Sequence, residues 1–297
     1  MRLRSRGSNR DFSAPDWLTF RRFAGFTTVL TIALIALGIY TAARGAGLAC
    51  SQQWPLCDGG VLPQSLPSFI EWSHRLVAMI TGWFILGIAL WAWRRGKSRA
   101  TRAFATLAVV LLPLQISIGA VTVTLNGLLP GGYSTPTHAA HLVVALVIFG
   151  SLVLTTLYAG GHERNWQRTA RNGLVLAVIA LPIGAVFSRV TAVPEYSQPA
   201  QAVFYAVSLL AVAGLLAAIV ALGRVGQGSL RMGAVAALTF TLGHLLLGRD
   251  LVFYTPSMQR LNAGLLIAAF AFTVATAWLA YRRTRRDEAG GTVISQS

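Results

Sequence analysis

Eight apolar runs, each about 20 residues long, limit what this 297-residue chain can fold into more than any other feature. At a rise of about 1.5 Å per residue, a helix of that length crosses the roughly 30 Å hydrocarbon core of a bilayer. The expected spans are residues 23–44, 70–93, 103–124, 138–160, 172–192, 200–222, 232–253 and 260–281. A composition that is 55% hydrophobic and only 11% charged suits a polytopic membrane protein better than a soluble enzyme. The expected fold class is an all-α integral membrane protein with eight transmembrane helices.

A net charge of +16 would by itself suit a nucleic-acid binder, but the placement of the charges argues against that. Of the 25 Lys and Arg residues, 20 lie before the first span or in alternate connections after it. They are Arg2, Arg4, Arg6, Arg10, Arg21 and Arg22; Arg94, Arg95, Lys97, Arg99 and Arg102; Arg164, Arg168 and Arg171; Arg224 and Arg231; and Arg282, Arg283, Arg285 and Arg286. Arg44, Arg75, Arg189, Arg249 and Arg260 remain for the other side. By the positive-inside rule both termini are cytoplasmic, in a multi-pass protein of the cell membrane. The basic balance then reflects topology and anionic membrane lipid, with no nucleic-acid partner.

The two halves read as copies of one unit. "GIYTAARGAG" (38–47) resembles "GAVFSRVTA" (184–192), "LQISIGAV" (114–121) aligns with "LGHLLLGRD" (242–250), and "STPTHAAHL" (134–142) with "YTPSMQRLN" (254–262). Three matches in one order favour two repeated four-helix bundles, with corresponding positions at the same membrane depth. The expected divisions are a basic segment 1–22, a first bundle 23–160, a second bundle 172–281 and a tail 282–297.

Ionisable groups inside such spans are costly and mark function. The run "FIEWSHRL" (69–76) places Glu71, His74 and Arg75 at the head of the second span. His74 and His141 lie at similar depth on two helices that start on the same side, and facing histidines are how bundles hold a heme. His138, three residues before His141, is the rival axial ligand or a contact for a propionate or substrate edge. Glu71 shares a helical face with His74 and reads as an acid/base or a partner beside a heme face, or as a helix N-terminal carboxylate paired with Arg75. A di-iron centre needs two Glu-x-x-His motifs, and Asp58, Glu195 and Asp250 belong to no second one. His162 reads as a solvated loop residue.

Cys50 and Cys57 are the only cysteines and share one outward loop, "GLACSQQWPLCDGG", which Trp54 and Pro55 stiffen. They can close a short disulfide as a structural staple, or carry redox chemistry beside a heme. In the second half, Gln198 and Gln201 stand where Glu71 and His74 do, Met258 opposite His138, Leu261 or Asn262 opposite His141, and His244 opposite Gln115. No histidine pair can form there. Ligation of a heme by His244 and Met258 competes with a buried, hydrogen-bonded His244.

The cysteine loop, "IEWSHRL" and "AAHLVVAL" together resemble the heme A synthase (CtaA) family, and so do the helix count and the repeat. The resemblance runs over most of the chain, with its specific motifs in the first half. It implies an oxidoreductase that converts the ring D methyl group of heme O to the formyl group of heme A for a terminal oxidase. His74 and His141 would flank the substrate heme as iron ligands, with Glu71 as catalytic acid and Cys50 and Cys57 as the outward pair. It also implies heme O and heme A, heme O synthase and terminal oxidase assembly as partners, and heme (heme O or heme b) as the bound group. Family members with a full second half hold a heme b on a second histidine pair. This chain lacks that pair, so a second heme b is not expected by the usual ligands. An electron-transfer protein with heme b and no heme O oxidation is the alternative reading.

Overall fold

The computed structural model describes residues 18–294 except 51, 52, 54, 55, 127–134, 162, 163, 192 and 250–252, and leaves aside the side chains of 124–126 and 286–294. Arg2, Arg4, Arg6, Arg10, Trp54, Pro55, His162 and Asp250 therefore lie outside the described residues. The described chain is helical: α1 Phe20–Ala43, α2 Leu66–Arg94, α3 Arg99–Asn126, α4 Thr135–Tyr158, α5 Trp166–Val186, α6 Gln198–Arg224, α7 Gly228–Leu247 and α8 Pro256–Ile294, with a short 3-10 turn at Ala46–Leu48. All eight are long and apolar enough to cross a membrane. Many large apolar side chains point outward, among them Ile116, Trp83, Ile267 and Met232, as expected where lipid rather than water surrounds the helices.

Three helices depart from the expected spans. α5 starts at Trp166 because the Asn165 side chain accepts the Arg168 N–H at 2.8 Å, a capping bond that draws the polar turn into the helix. α7 ends at Leu247, with Gly248 closing it by donating to the His244 carbonyl at 2.9 Å. α8 runs on to Ile294, because the Arg residues beyond the apolar run are good helix formers.

The helices pack as two rings. α1 touches α2, α2 touches α3, α3 touches α4, and α4 returns to α1; the diagonal pairs do not meet among the described residues. α5 to α8 form the same closed circuit, and α6 joins the two rings by packing against α1 and α4. The largest apolar core lies at this seam, where Ile32, Ile35, Ile39, Leu142 and Phe149 meet Phe204, Tyr205, Leu209 and Leu245. A second core, built on Phe20, Ile85, Ile88, Ile148 and Leu152, holds the first ring together away from the histidines. The seam fixes α1 and α4 rigidly, and these two helices position half of the site described next.

Candidate functional site

α2 begins at a Ser65 cap, whose hydroxyl accepts the Ser68 N–H at 3.3 Å, with Pro67 in the first turn where its missing N–H is not needed. One turn in, Glu71 is only 2% exposed. Its Oε2 accepts the Cys50 N–H at 2.7 Å, and its Oε1 pairs with the Arg75 guanidinium. Arg75 donates in turn to the Gln53 carbonyl at 2.7 Å. Burial of the carboxylate is thus offset by a backbone donor and a cation, and the same bonds fasten the preceding loop to α2.

That loop is closed by a disulfide between Cys50 and Cys57, both buried. Asp58 and Gly59 make the tight turn after it, both at positive φ (54° and 76°), so that Cys57 and Gly60 exchange backbone hydrogen bonds at 2.9 and 3.0 Å. Asp58 accepts from the Ser68 hydroxyl at 3.0 Å and from the Gln64 N–H at 2.8 Å, a second attachment to α2. The disulfide, Glu71 and Arg75 therefore form one clamp directly above His74.

His74 lies on α2 one turn below Glu71, half-buried, and its Nδ1 is buried with no hydrogen-bond partner among the described residues. The ring is pressed against α1 at Gly38: a Cβ there would come within 2.9 Å of His74 Cε1. His141 on α4 is held in the same way against α3, where a Cβ on Gly119 would come within 3.2 Å of its Cε1. Its Nδ1 is likewise buried without a partner, while its Nε2 lies 3.1 Å from the Gln115 amide nitrogen on α3. The two imidazoles are near enough for their charges to interact, and His138 is equally a neighbour of His141. All four helices of the ring thus contribute: Gly38, His74, Gln115 with Gly119, and His141. Buried nitrogens without partners are rare in folded proteins. Two of them on diagonal helices fit a metalloporphyrin seated between, taking one imidazole from each side.

Gln115, Gly38 and Gly119 carry no distinctive chemistry as residue types, and sequence reading did not select them. The signal available was position: each sits on a neighbouring helix at the depth of a histidine.

Residues 21–284 match the family of cytochrome oxidase assembly proteins, COX15-CtaA. The chain belongs to this family. Heme A synthase of Bacillus licheniformis is 36% identical over 133 residues, 44% of this chain and 42% of that protein. Heme A synthase of Geobacillus kaustophilus is 34% identical over 138 residues, 46% of this chain and 42% of that one. Protoheme IX farnesyltransferase of Halobacterium salinarum is 41% identical over 122 residues, 41% of this chain and 26% of that one. In each case the chain spans less than half the length of the curated relative.

The second ring of this COX15-CtaA member places different groups at the corresponding depth. Gln201 is 7% exposed and its Oε1 has no partner among the described residues. His244 bonds through Nδ1 to Asn262 Oδ1 at 2.7 Å, and Asn262 Nδ2 donates to the Tyr254 hydroxyl at 3.0 Å. So His244 is drawn to Asn262, and its Nε2 is buried without a partner among the described residues. The ring of Phe204 stands edge-on to His244 at 5.3 Å and lies against Gly248, where a Cβ would meet it at 2.7 Å. Gly248 is the counterpart of Gly119. The slot that takes the His141 imidazole in the first ring is filled by a phenyl ring in the second.

Proposed function

We propose that this chain is a heme A synthase-type oxidoreductase that converts heme O to heme A, oxidising a ring methyl group to a formyl group. The observation that carries the reading is the pair His74 and His141, each with a buried, unpartnered ring nitrogen, set on diagonal helices beside the buried Glu71 carboxylate. Family membership and the names of two heme A synthases support it, and the farnesyltransferase relative supports placing the chain in the heme O to heme A pathway.

Heme O is the substrate, and its iron supplies the oxidation chemistry when bound. The chain supplies the rest. His74 and His141 would hold the heme iron through their ring nitrogens, and Gly38 and Gly119 hold the imidazoles in place. Glu71 holds or moves a proton at its carboxylate, kept in position by the Cys50 N–H and Arg75. Arg75 and His138 border the site, where the propionates would lie. The disulfide loop covers the top and keeps bulk water out. The first ring, 23–160, is the catalytic bundle; the second, 172–281, is degenerate and lacks the histidine pair that would ordinarily hold a second heme b. The distribution of basic residues supports a topology with both termini in the cytoplasm and the site toward the outer side of the plasma membrane, with heme O synthase and terminal oxidase assembly as functional neighbours.

The test is a pyridine hemochrome spectrum of the purified full chain from cells that make heme O. An a-type band is expected, lost in His74→Ala and His141→Ala. Bound heme b with no conversion of heme O would replace this reading with an electron-transfer protein.

A further inference from the structure

The end of the molecule away from the histidines carries a basic cluster at the seam between the rings. Arg164, in the link between α4 and α5, places its guanidinium carbon 5.7 Å from the centre of the Trp166 ring. Arg224, at the end of α6, comes within 5.6 Å of the same ring and 5.4 Å of Tyr158 on α4. Arg21, at the start of α1, is near enough to Arg164 for their charges to interact. Arg164 Nη2 donates to the Thr156 carbonyl at 3.2 Å, but its Nε is buried with no partner among the described residues.

These like charges repel one another, and among the described residues the one ion pair, Arg75 with Glu71, lies at the opposite end. Burial, and after it the Arg21 charge, push the pKa of Arg164 down from its ordinary value, and no acid among the described residues pairs with it, Glu163 lying outside them. The three cations come from α1, the α4–α5 link and α6, and α6 is the helix that joins the rings by packing on α1 and α4. Trp166 and Tyr158 form an aromatic floor of the kind found at the level of lipid headgroups. Guanidinium forks match phosphate oxygens, and basic pockets between helices at a membrane surface take anionic headgroups.

We infer that Arg164 and Arg224, with Arg21, bind the phosphate group of an anionic phospholipid, seated on Trp166 and Tyr158 where the two rings meet. The site is independent of the heme reading, since none of its residues touches the histidine cage. A lipid is favoured over free phosphate because the cluster sits where α1, α4 and α6 leave their apolar spans.

Native mass spectrometry of the full-length chain, titrated with phosphatidylglycerol in detergent, tests it. Wild type should retain a lipid that Arg164→Gln/Arg224→Gln binds roughly tenfold or more weakly. The pair Arg94→Gln/Arg95→Gln, in the connection between α2 and α3 at the same end, should behave as wild type. Phosphatidylcholine should not substitute, and millimolar inorganic phosphate should not displace the lipid. Circular dichroism checks that the double variant folds, and the exposed Arg224→Gln alone should weaken retention severalfold. Equal retention by the double variant, or equal loss in the control pair, overturns the site. Displacement by inorganic phosphate overturns the lipid as its occupant.

Discussion

The two rings share a circuit of helices but differ in what their glycines do. In the first, Gly38 and Gly119 lie against the imidazoles of His74 and His141. At the α1–α2 crossing, a Cβ on Gly87 would lie 3.5 Å from the Phe23 ring, and Phe23 stacks on Phe84 with centroids 5.3 Å apart, so aromatic side chains space the helices. In the second, Gly214, matched with Gly87 in the sequence, meets Gly173 backbone to backbone, so that a Cβ on either would strike the other's carbonyl oxygen. Phe204 then closes the slot at Gly248. One architecture serves as a cage or as a solid support, and a handful of residues at helix crossings decides which.

The largest effect that would separate the rings is on heme. His74→Ala or His141→Ala should reduce bound heme and heme O conversion to background, measured by hemochrome and product chromatography. His244→Ala should leave heme content unchanged while lowering stability by about 1–3 kcal/mol, because Asn262 loses a buried partner. A loss of heme in the His244 variant would break the comparison.

A bulkier test addresses the closed crossing. Gly173→Leu forces α5 away from α6 and should destabilise the protein by about 3 kcal/mol or more, seen as a lower melting temperature by circular dichroism. Heme per folded chain should not change.

The eight spans could be read from the sequence because about 20 apolar residues in a row have one economical solution in a bilayer. The limits of α5 and α8 could not, since their ends are set by a cap and by helix-forming basic residues rather than by hydropathy. Glu71, His74 and His141 stood out because ionisable groups in apolar helices are rare. The attachment of Glu71 to the Cys50 backbone did not, since it depends on how the loop folds over α2. The sequence set Gln115 opposite His244 and either Leu261 or Asn262 opposite His141; Gln115 with His141, and His244 with Asn262, become an amide–imidazole pair in each ring with the roles exchanged. Alignment put these residues opposite one another, but only packing shows that each pair bonds within its own ring.

Two smaller effects sharpen the role of the first ring. Glu71→Gln keeps an oxygen for the Cys50 N–H but removes the charge facing Arg75; conversion should fall at least tenfold while most heme is retained, a split read by comparing turnover with hemochrome content. Gln115→Leu removes the only side-chain bond that His141 makes among the described residues, and should shift the visible absorption of the bound heme and lower conversion by a few-fold, without loss of the protein.

The central claim is that one ring is the site and the other its support. Heme per chain, measured by pyridine hemochrome against quantitative amino-acid analysis on the full-length protein, tests it most directly. The account predicts one heme per chain, abolished by His74→Ala and untouched by His244→Ala; two hemes per chain, or one that survives the loss of both His74 and His141, would contradict it.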